Sequence, residues 1–318
     1  MRGDFRLKMN LICNAIAFKE NAMGNGTNFV TEETKLNYIK NSVVSLISAK
    51  IKNPGTEVAL CTNTSIPEEF EKLFDAYDIK IIPLEFDLFS FDTDMSWSLA
   101  FYKLNVLYKL VQMDDYDNIV LIDTDTVVVN SLDSIWSECA LYVLIPQYSC
   151  RIGCENYLTY KKETSQLFEE SHTPKYTWGG EFIAGSIKLL KDFIGECYRY
   201  YLLMERKGLQ TSKGDEFLIY CASLKYMDVL KNAAPYVYRF WTGFNYYDNR
   251  CFPDKLCVWH VPSEKKQGLL FVYKYIIMHN QLPSLNKLRK MLGISIPRRS
   301  MNYYTIRFLL ERLGGLKK

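Results

Sequence analysis

The chain has 318 residues, 48% of them hydrophobic and 24% charged, with a net charge of +3. That balance is ordinary for a globular protein and leaves room for one large domain or two smaller ones. No stretch is long and apolar enough to span a bilayer as a helix; the nearest, Leu269–Met278, is short and interrupted by Lys274.

Met9–Phe18 reads as a first strand, and its lack of a small-residue cleavage site argues against a secretory leader. Over 31–49, Leu36, Ile39, Val43, Leu46 and Ile47 recur at helical spacing, with Thr31, Glu32 and Glu33 suited to a helix start. Glu57–Cys61 predicts a second strand, Pro67–Tyr77 a short helix opened by proline, and Ile79–Leu84 a third strand. Trp97–Met113 predicts a long helix and Asn118–Ile122 a fourth strand. This alternation of strand and helix predicts an α/β fold with a mostly parallel sheet covered on both faces.

Beyond it, Leu132–Trp136 reads as a short helix, Leu141–Ile145 as a strand, and Tyr148–Tyr176 as a polar loop region holding a short helix. A turn at Gly179-Gly180 precedes a strand at Phe182–Ile187. Leu189–Arg206 and Asp215–Leu224 read as helices, and Tyr236–Trp241 and Leu256–His260 as short strands. From Leu269 onward the chain reads as helical and basic.

Charge is unevenly placed. From Lys265 to the end there are twelve Lys/Arg against one acid, Glu311, so this segment carries +11 and the rest −8. Aromatics are interleaved with the cations, among them Phe271, Tyr273, Tyr275, Tyr303, Tyr304 and Phe308. The pattern fits an interfacial helix on an anionic membrane, and fits equally a segment packed on the body with a solvated face. No nucleic-acid-binding module accompanies it. The nine cysteines are dispersed, without a Cys-x-x-Cys pair, as in a cytosolic protein with reduced thiols. The three histidines do not fall at zinc-ligand spacing with them.

The most informative stretch is Ile119-Val-Leu-Ile-Asp123-Thr124-Asp125. An apolar strand, of the kind buried on both faces, ends in two carboxylates at the edge where open α/β sheets bind ligands. Leaving two acids unpaired there is costly, and a hard divalent cation offsets that cost. Asp also ends many strands simply because it suits turns and helix caps, so the pair alone leaves both readings open. A phosphatase of the haloacid dehalogenase type would also use Asp123 and Asp125, although its motif normally follows the first strand of the sheet. A nucleotidyltransferase would need an N-terminal Gly-rich loop, which Gly24-Asn-Gly26 matches poorly.

Four further stretches accompany the pair in order. They are Ala100-Phe-Tyr-Lys103, Phe182-Ile-Ala184-Gly185, Gly214-Asp215-Glu216 and Trp259-His260-Val-Pro-Ser-Glu-Lys265-Lys266. Taken together this order resembles the glycogenin-like, family 8 retaining glycosyltransferases over roughly residues 9 to 268. The resemblance implies a GT-A fold over 1–268, followed by a basic amphipathic extension over 269–318.

It also implies transfer of a hexose from a UDP-sugar to a hydroxyl of a saccharide or glycolipid acceptor, with retention of configuration. By the same resemblance, Asp123, Asp125 and His260 would hold Mn²⁺, or Mg²⁺ in its place. Lys103 and Lys266 would reach the phosphates. Asn14, Ala15 and Phe18 would hold the nucleoside through backbone groups. Thr124, Ala184 and Gly185 would line the donor site, and Asp215 and Glu216 would face the sugar.

Three positions depart from the family pattern: Ile183 replaces an amide, Ser263 a glycine and Glu216 a glutamine. The serine puts the loop path in doubt, so that Lys265 could take the place of Lys266. The departures also leave open an inactive nucleotide-sugar-binding protein of the same fold. A cytoplasmic location is expected, free or peripheral on the cytoplasmic face of a membrane.

Overall fold

A computed structural model describes residues 9–19, 31–91, 95, 97–113, 115–143, 153–242, 252–294 and 309. The first half alternates β1 (Met9–Ile16), α1 (Glu32–Lys52), β2 (Glu57–Thr62), α2 (Glu68–Ala76), β3 (Lys80–Pro83), α3 (Tyr102–Leu110) and β4 (Tyr116–Ile122). The second half adds β5 (Thr126–Val128), β6 (Cys139–Val143), α4 (Glu155–Phe168), β7 (Trp178–Ser186), α5 (Ile187–Lys207) and α6 (Asp215–Ser223). It closes with β8 (Leu230–Asn232), β9 (Val237–Arg239), β10 (Val258–His260), α7 (Gly268–His279) and α8 (Leu285–Met291).

Seven strands form one sheet in the order β3-β2-β1-β4-β7-β6-β8, and β5-β10-β9 form a second, smaller one. In the large sheet only β7 runs against the others. The fold is therefore α/β with a mostly parallel sheet flanked by helices. Its strands are apolar on both faces because each alternates between two cores. Ile12, Val58, Leu60, Val120 and Ile122 face one cluster, with α1, α2, the small sheet and α7. Leu11, Cys13, Ala59, Ile119 and Leu121 face the other, with α3, α5 and α6.

Local chemistry sets the element ends. Thr31 caps α1 by accepting a hydrogen bond from the Thr34 amide, with Glu32 and Glu33 in the first turn and Lys50 and Lys52 in the last. The predicted helix over 97–113 is instead a 3₁₀ turn, Ser98–Phe101, leading into α3. Asn105 on α3 accepts from the Leu88 amide and donates to the Glu85 carbonyl, so it fixes the loop that enters the helix.

The predicted turn at Gly179-Gly180 is not a turn; both glycines lie within β7, which begins at Trp178. Helix α4 is longer than expected because its inner face, Tyr157, Tyr160, Thr164 and Leu167, is too polar to reveal its period. Three-residue strands such as β5 and β8 carry no readable period at all. The seven described cysteines are free thiols; Cys150 and Cys251 lie outside the described residues, as do Gly24 and Gly26.

The segment expected as an extension is joined to the body as far as Ile294. Leu269, Val272 and Ile276 of α7, with Leu288, Leu292 and Ile294, lie in the same core as α1 and the small sheet. A division at 268/269 falls in the first turn of α7. The remainder, with Tyr303, Tyr304 and Phe308, lies outside the described residues. Among the described residues no helix is long and apolar enough to cross a membrane.

Candidate metal centre and its charge network

The small sheet gathers the site. Asp123 and Asp125 follow the carboxyl end of β4, and the chain turns at once into β5. Strand β10 pairs antiparallel with β5, placing His260 opposite Thr126, and the Val261 amide donates to the Asp125 carbonyl at 2.9 Å. On its other side β10 runs parallel to β9, which sets Arg239 level with His260. Backbone pairing thus brings residues 135 positions apart into contact.

Asp123, Asp125 and His260 each offer one ligating atom, and these atoms lie within 4.8 Å of one another. Two carboxylates and an imidazole form a donor set suited to Mn²⁺, softer than an all-oxygen Mg²⁺ site. His260 Nε2 is 3.1 Å from Asp125 Oδ2, and Nδ1 is 3.2 Å from Glu181 Oε1. A carboxylate behind a ligating imidazole fixes the ring's orientation, as in many metal sites.

Glu181 is itself clamped by Arg239, whose Nε and Nη2 donate to its two oxygens at 2.5 and 2.6 Å. Arg239 also reaches Glu216 Oε1 at 3.3 Å. On the other flank, Lys103 Nζ lies 3.1 Å from Asp123 Oδ1 and 3.0 Å from Asp215 Oδ2, and it donates to the Gly180 carbonyl. Lys265 Nζ lies 3.1 Å from Asp125 Oδ2.

Five acids and four bases therefore share one site, and their ionisation follows from burial and pairing. Burial opposes the charge on Asp125, but Lys265 and His260 outweigh it and hold that carboxyl far below the usual range. Burial also opposes a charged His260, yet Asp125 and Glu181 prevail and raise the ring to about 9. Glu181 is buried too, but Arg239 and His260 bring it down to about 2. Glu216 behaves differently. Burial raises it to about 7, because Arg239 only partly offsets the desolvation and Glu181 and Asp215 add repulsion. Asp215 is raised by burial against the pull of Lys103, with Asp123 adding to the rise.

Glycine makes the packing possible. A Cβ on Gly180 would lie 2.3 Å from Asp215 Oδ2 and 2.8 Å from Lys103 Nζ, and one on Gly179 would meet Glu181 and Arg239. Any larger residue would displace the ion pairs.

The expected residues divide clearly. Asp123, Asp125, His260, Lys103, Asp215 and Glu216 converge, and Thr124 is buried between the two acids. Lys266 does not join them: the 3₁₀ turn Pro262–Glu264 rotates the chain so that Lys265 faces Asp125 and Lys266 is exposed. Ala184 and Gly185 lie inside β7, opposite Val120 and Ile119, well below the strand end. A Cβ on Gly185 would meet Leu190 and Cys139, so that glycine serves core packing.

Asn14 is fully buried and donates to the Ile122 carbonyl at 2.8 Å and to Ser45. Ala15 is held in the β1–β2 ladder, and the Phe18 backbone is tied at both its amide and its carbonyl by Asn63. These three positions brace the end of the sheet.

Glu181 and Arg239 were not anticipated from the sequence. The signal was available in Glu181, a lone acid within the apolar run Trp178–Ser186, since a buried acid demands a partner. Compared with known proteins, the chain matches no family model and no curated protein sequence.

Proposed function

We propose that the chain is a GT-A-type, divalent-metal-dependent hexosyltransferase that uses a UDP-sugar donor and retains the anomeric configuration. The observation that carries this reading is the convergence of Asp123, Asp125 and His260 beyond β4, ringed by Lys103, Lys265 and Arg239. Such a place offers a cation-assisted cradle for a diphosphate, with acids beside it for a sugar.

A divalent ion held by these three ligands would supply Lewis-acid stabilisation of charge on a departing diphosphate. Lys265 takes the part first expected of Lys266. Its ammonium balances Asp125 in the free protein, and it would turn to phosphate oxygens when ligand is present. Lys103 holds Asp123 and Asp215 at a fixed separation. Asp215 is the group that supports positive charge growing on the sugar ring. Glu216, raised to about 7, can present a proton as a hydrogen-bond donor where a glutamine amide would serve in the family it resembles.

The acceptor is a saccharide or glycolipid hydroxyl. The basic segment beyond α8 supports peripheral contact with an anionic membrane surface.

The test is a screen of nucleotide sugars for cleavage with and without Mn²⁺, reading free nucleotide. UDP release that depends on Mn²⁺ is the expected result. Failure of every UDP donor with folded, metal-supplied protein overturns the reading, and phosphate release from an aryl phosphate would point to a phosphatase instead.

A further inference from the structure

Five described non-glycine residues have positive φ: Asp78, Phe89, Trp97, Glu169 and Asn280. Asp78, Glu169 and Asn280 follow the ends of α2, α4 and α7, where a left-handed residue commonly closes a helix. Phe89 buries its ring completely among Tyr108, Tyr198 and Tyr201. Trp97 has neither reason. It stands at φ 66° before the 3₁₀ turn that leads to Lys103, and it remains 40% exposed with no ring partner among the described residues. A bulky side chain in this region is a true outlier, and such strain concentrates at binding sites.

Its position is specific. A Cβ on Gly214 would lie 2.9 Å from Trp97 Cβ and 3.6 Å from Cγ, so the two residues are in contact. Gly214, itself at φ 61°, is the residue before Asp215 at the start of α6. Trp97 therefore sits against the segment that delivers Asp215, whose carboxylate packs on Gly180 of β7. Next to Trp97, Ser98 is 4% exposed and its hydroxyl has no hydrogen-bond partner among the described residues.

We infer that Trp97 is a stacking platform for the saccharide acceptor. The apolar C–H face of a pyranose ring packs on an exposed indole while its hydroxyls reach the polar groups beside it. The ring thus stands against Gly214, the residue before Asp215, whose carboxylate would face the donor sugar. This rests on the hexosyltransferase reading above. Uracil could also stack on an indole, and the donor-affinity readout below separates the two occupants.

The experiment compares full-length wild type with Trp97→Gly and Trp97→Phe. Glycine removes the ring and accepts this backbone conformation without strain, so any change reports the ring rather than the backbone. Transfer to saccharide acceptors should fall at least tenfold relative to donor hydrolysis in Trp97→Gly, through a raised acceptor KM. Trp97→Phe should restore most of the ratio. Transfer and hydrolysis falling in parallel, together with a lowered unfolding midpoint, would show that Trp97 only buttresses Gly214 and would overturn the proposal. A loss of UDP affinity without change in the transfer ratio would assign the ring to the base and also overturn it.

If wild type cleaves no donor, the hexosyltransferase reading fails separately. Intrinsic fluorescence titration with neutral oligosaccharides then decides the platform. A saturable change in wild type that is absent in Trp97→Gly supports it, and no change in wild type refutes it.

Discussion

The two halves of the charge cluster differ in how they are held. Asp125, His260 and Glu181 are all under 5% exposed, and backbone pairing fixes them, Asp125 and His260 through β5 and β10 and Glu181 within β7 of the large sheet. Asp123 and Glu216 have side chains about a quarter exposed, and they meet their partners through long flexible cations, Lys103 and Arg239. The first half is an anchor set by backbone; the second is a rim open to solvent. Under the function proposed above, the anchor would hold the metal and the rim would exchange substrate and product, because preorganised polar groups do their work without rearrangement.

Removing Lys265 probes where anchor meets rim, and it should have the largest effect. Lys265→Ala is expected to lower kcat about 10²–10³-fold. Lys266→Ala, which alters an exposed side chain, should stay within about twofold. Equal effects of the two would show that the loop after β10 is held differently. Glu181→Gln tests the anchor itself. It leaves the Arg239 guanidinium facing a neutral amide in a buried place, and should cost ~3 kcal/mol in urea unfolding. Metal affinity should fall about 10–100-fold with it, because His260 loses its orienting carboxylate.

The ionisation of His260 separates the halves by pH. Its pKa is raised in the folded, metal-free protein to about 9 from an ordinary 6.5. Its contribution is thus full below about pH 6.5 and lost as pH rises through about 9, an effect on the order of 3 kcal/mol. Thermal unfolding of metal-free wild type should show this decline between pH 6.5 and 9.5, and His260→Asn should lack it. Bound metal, which requires the neutral ring, should remove the decline as well. The smallest effect concerns the frame. Ile276→Val in the α7–α1 core should cost about 1 kcal/mol, whereas Ile277→Val on the exposed face should cost less than about 0.5 kcal/mol.

Much of the fold was legible because its strands are long, apolar and separated by helices with clear ends, as at Thr31 and Pro67. The acids at 123 and 125 were legible because they interrupt an apolar run at a strand end. What escaped depended on tertiary pairing. Three-residue β5 has no period, yet it determines that His260 meets Asp125. The choice of Lys265 over Lys266 rests on a single 3₁₀ turn. Gly179-Gly180 was read as a turn because glycine pairs usually are; here they clear space for two ion pairs, a reason visible only when Lys103 and Arg239 are in place.

The most direct test of the central claim is calorimetric titration of Mn²⁺ into metal-free full-length protein, beside Asp125→Asn and His260→Asn. One high-affinity site in wild type, lost or weakened at least about 100-fold in both variants and tightened by UDP, is the predicted result. Mn²⁺ binding that is unchanged in both variants would contradict it.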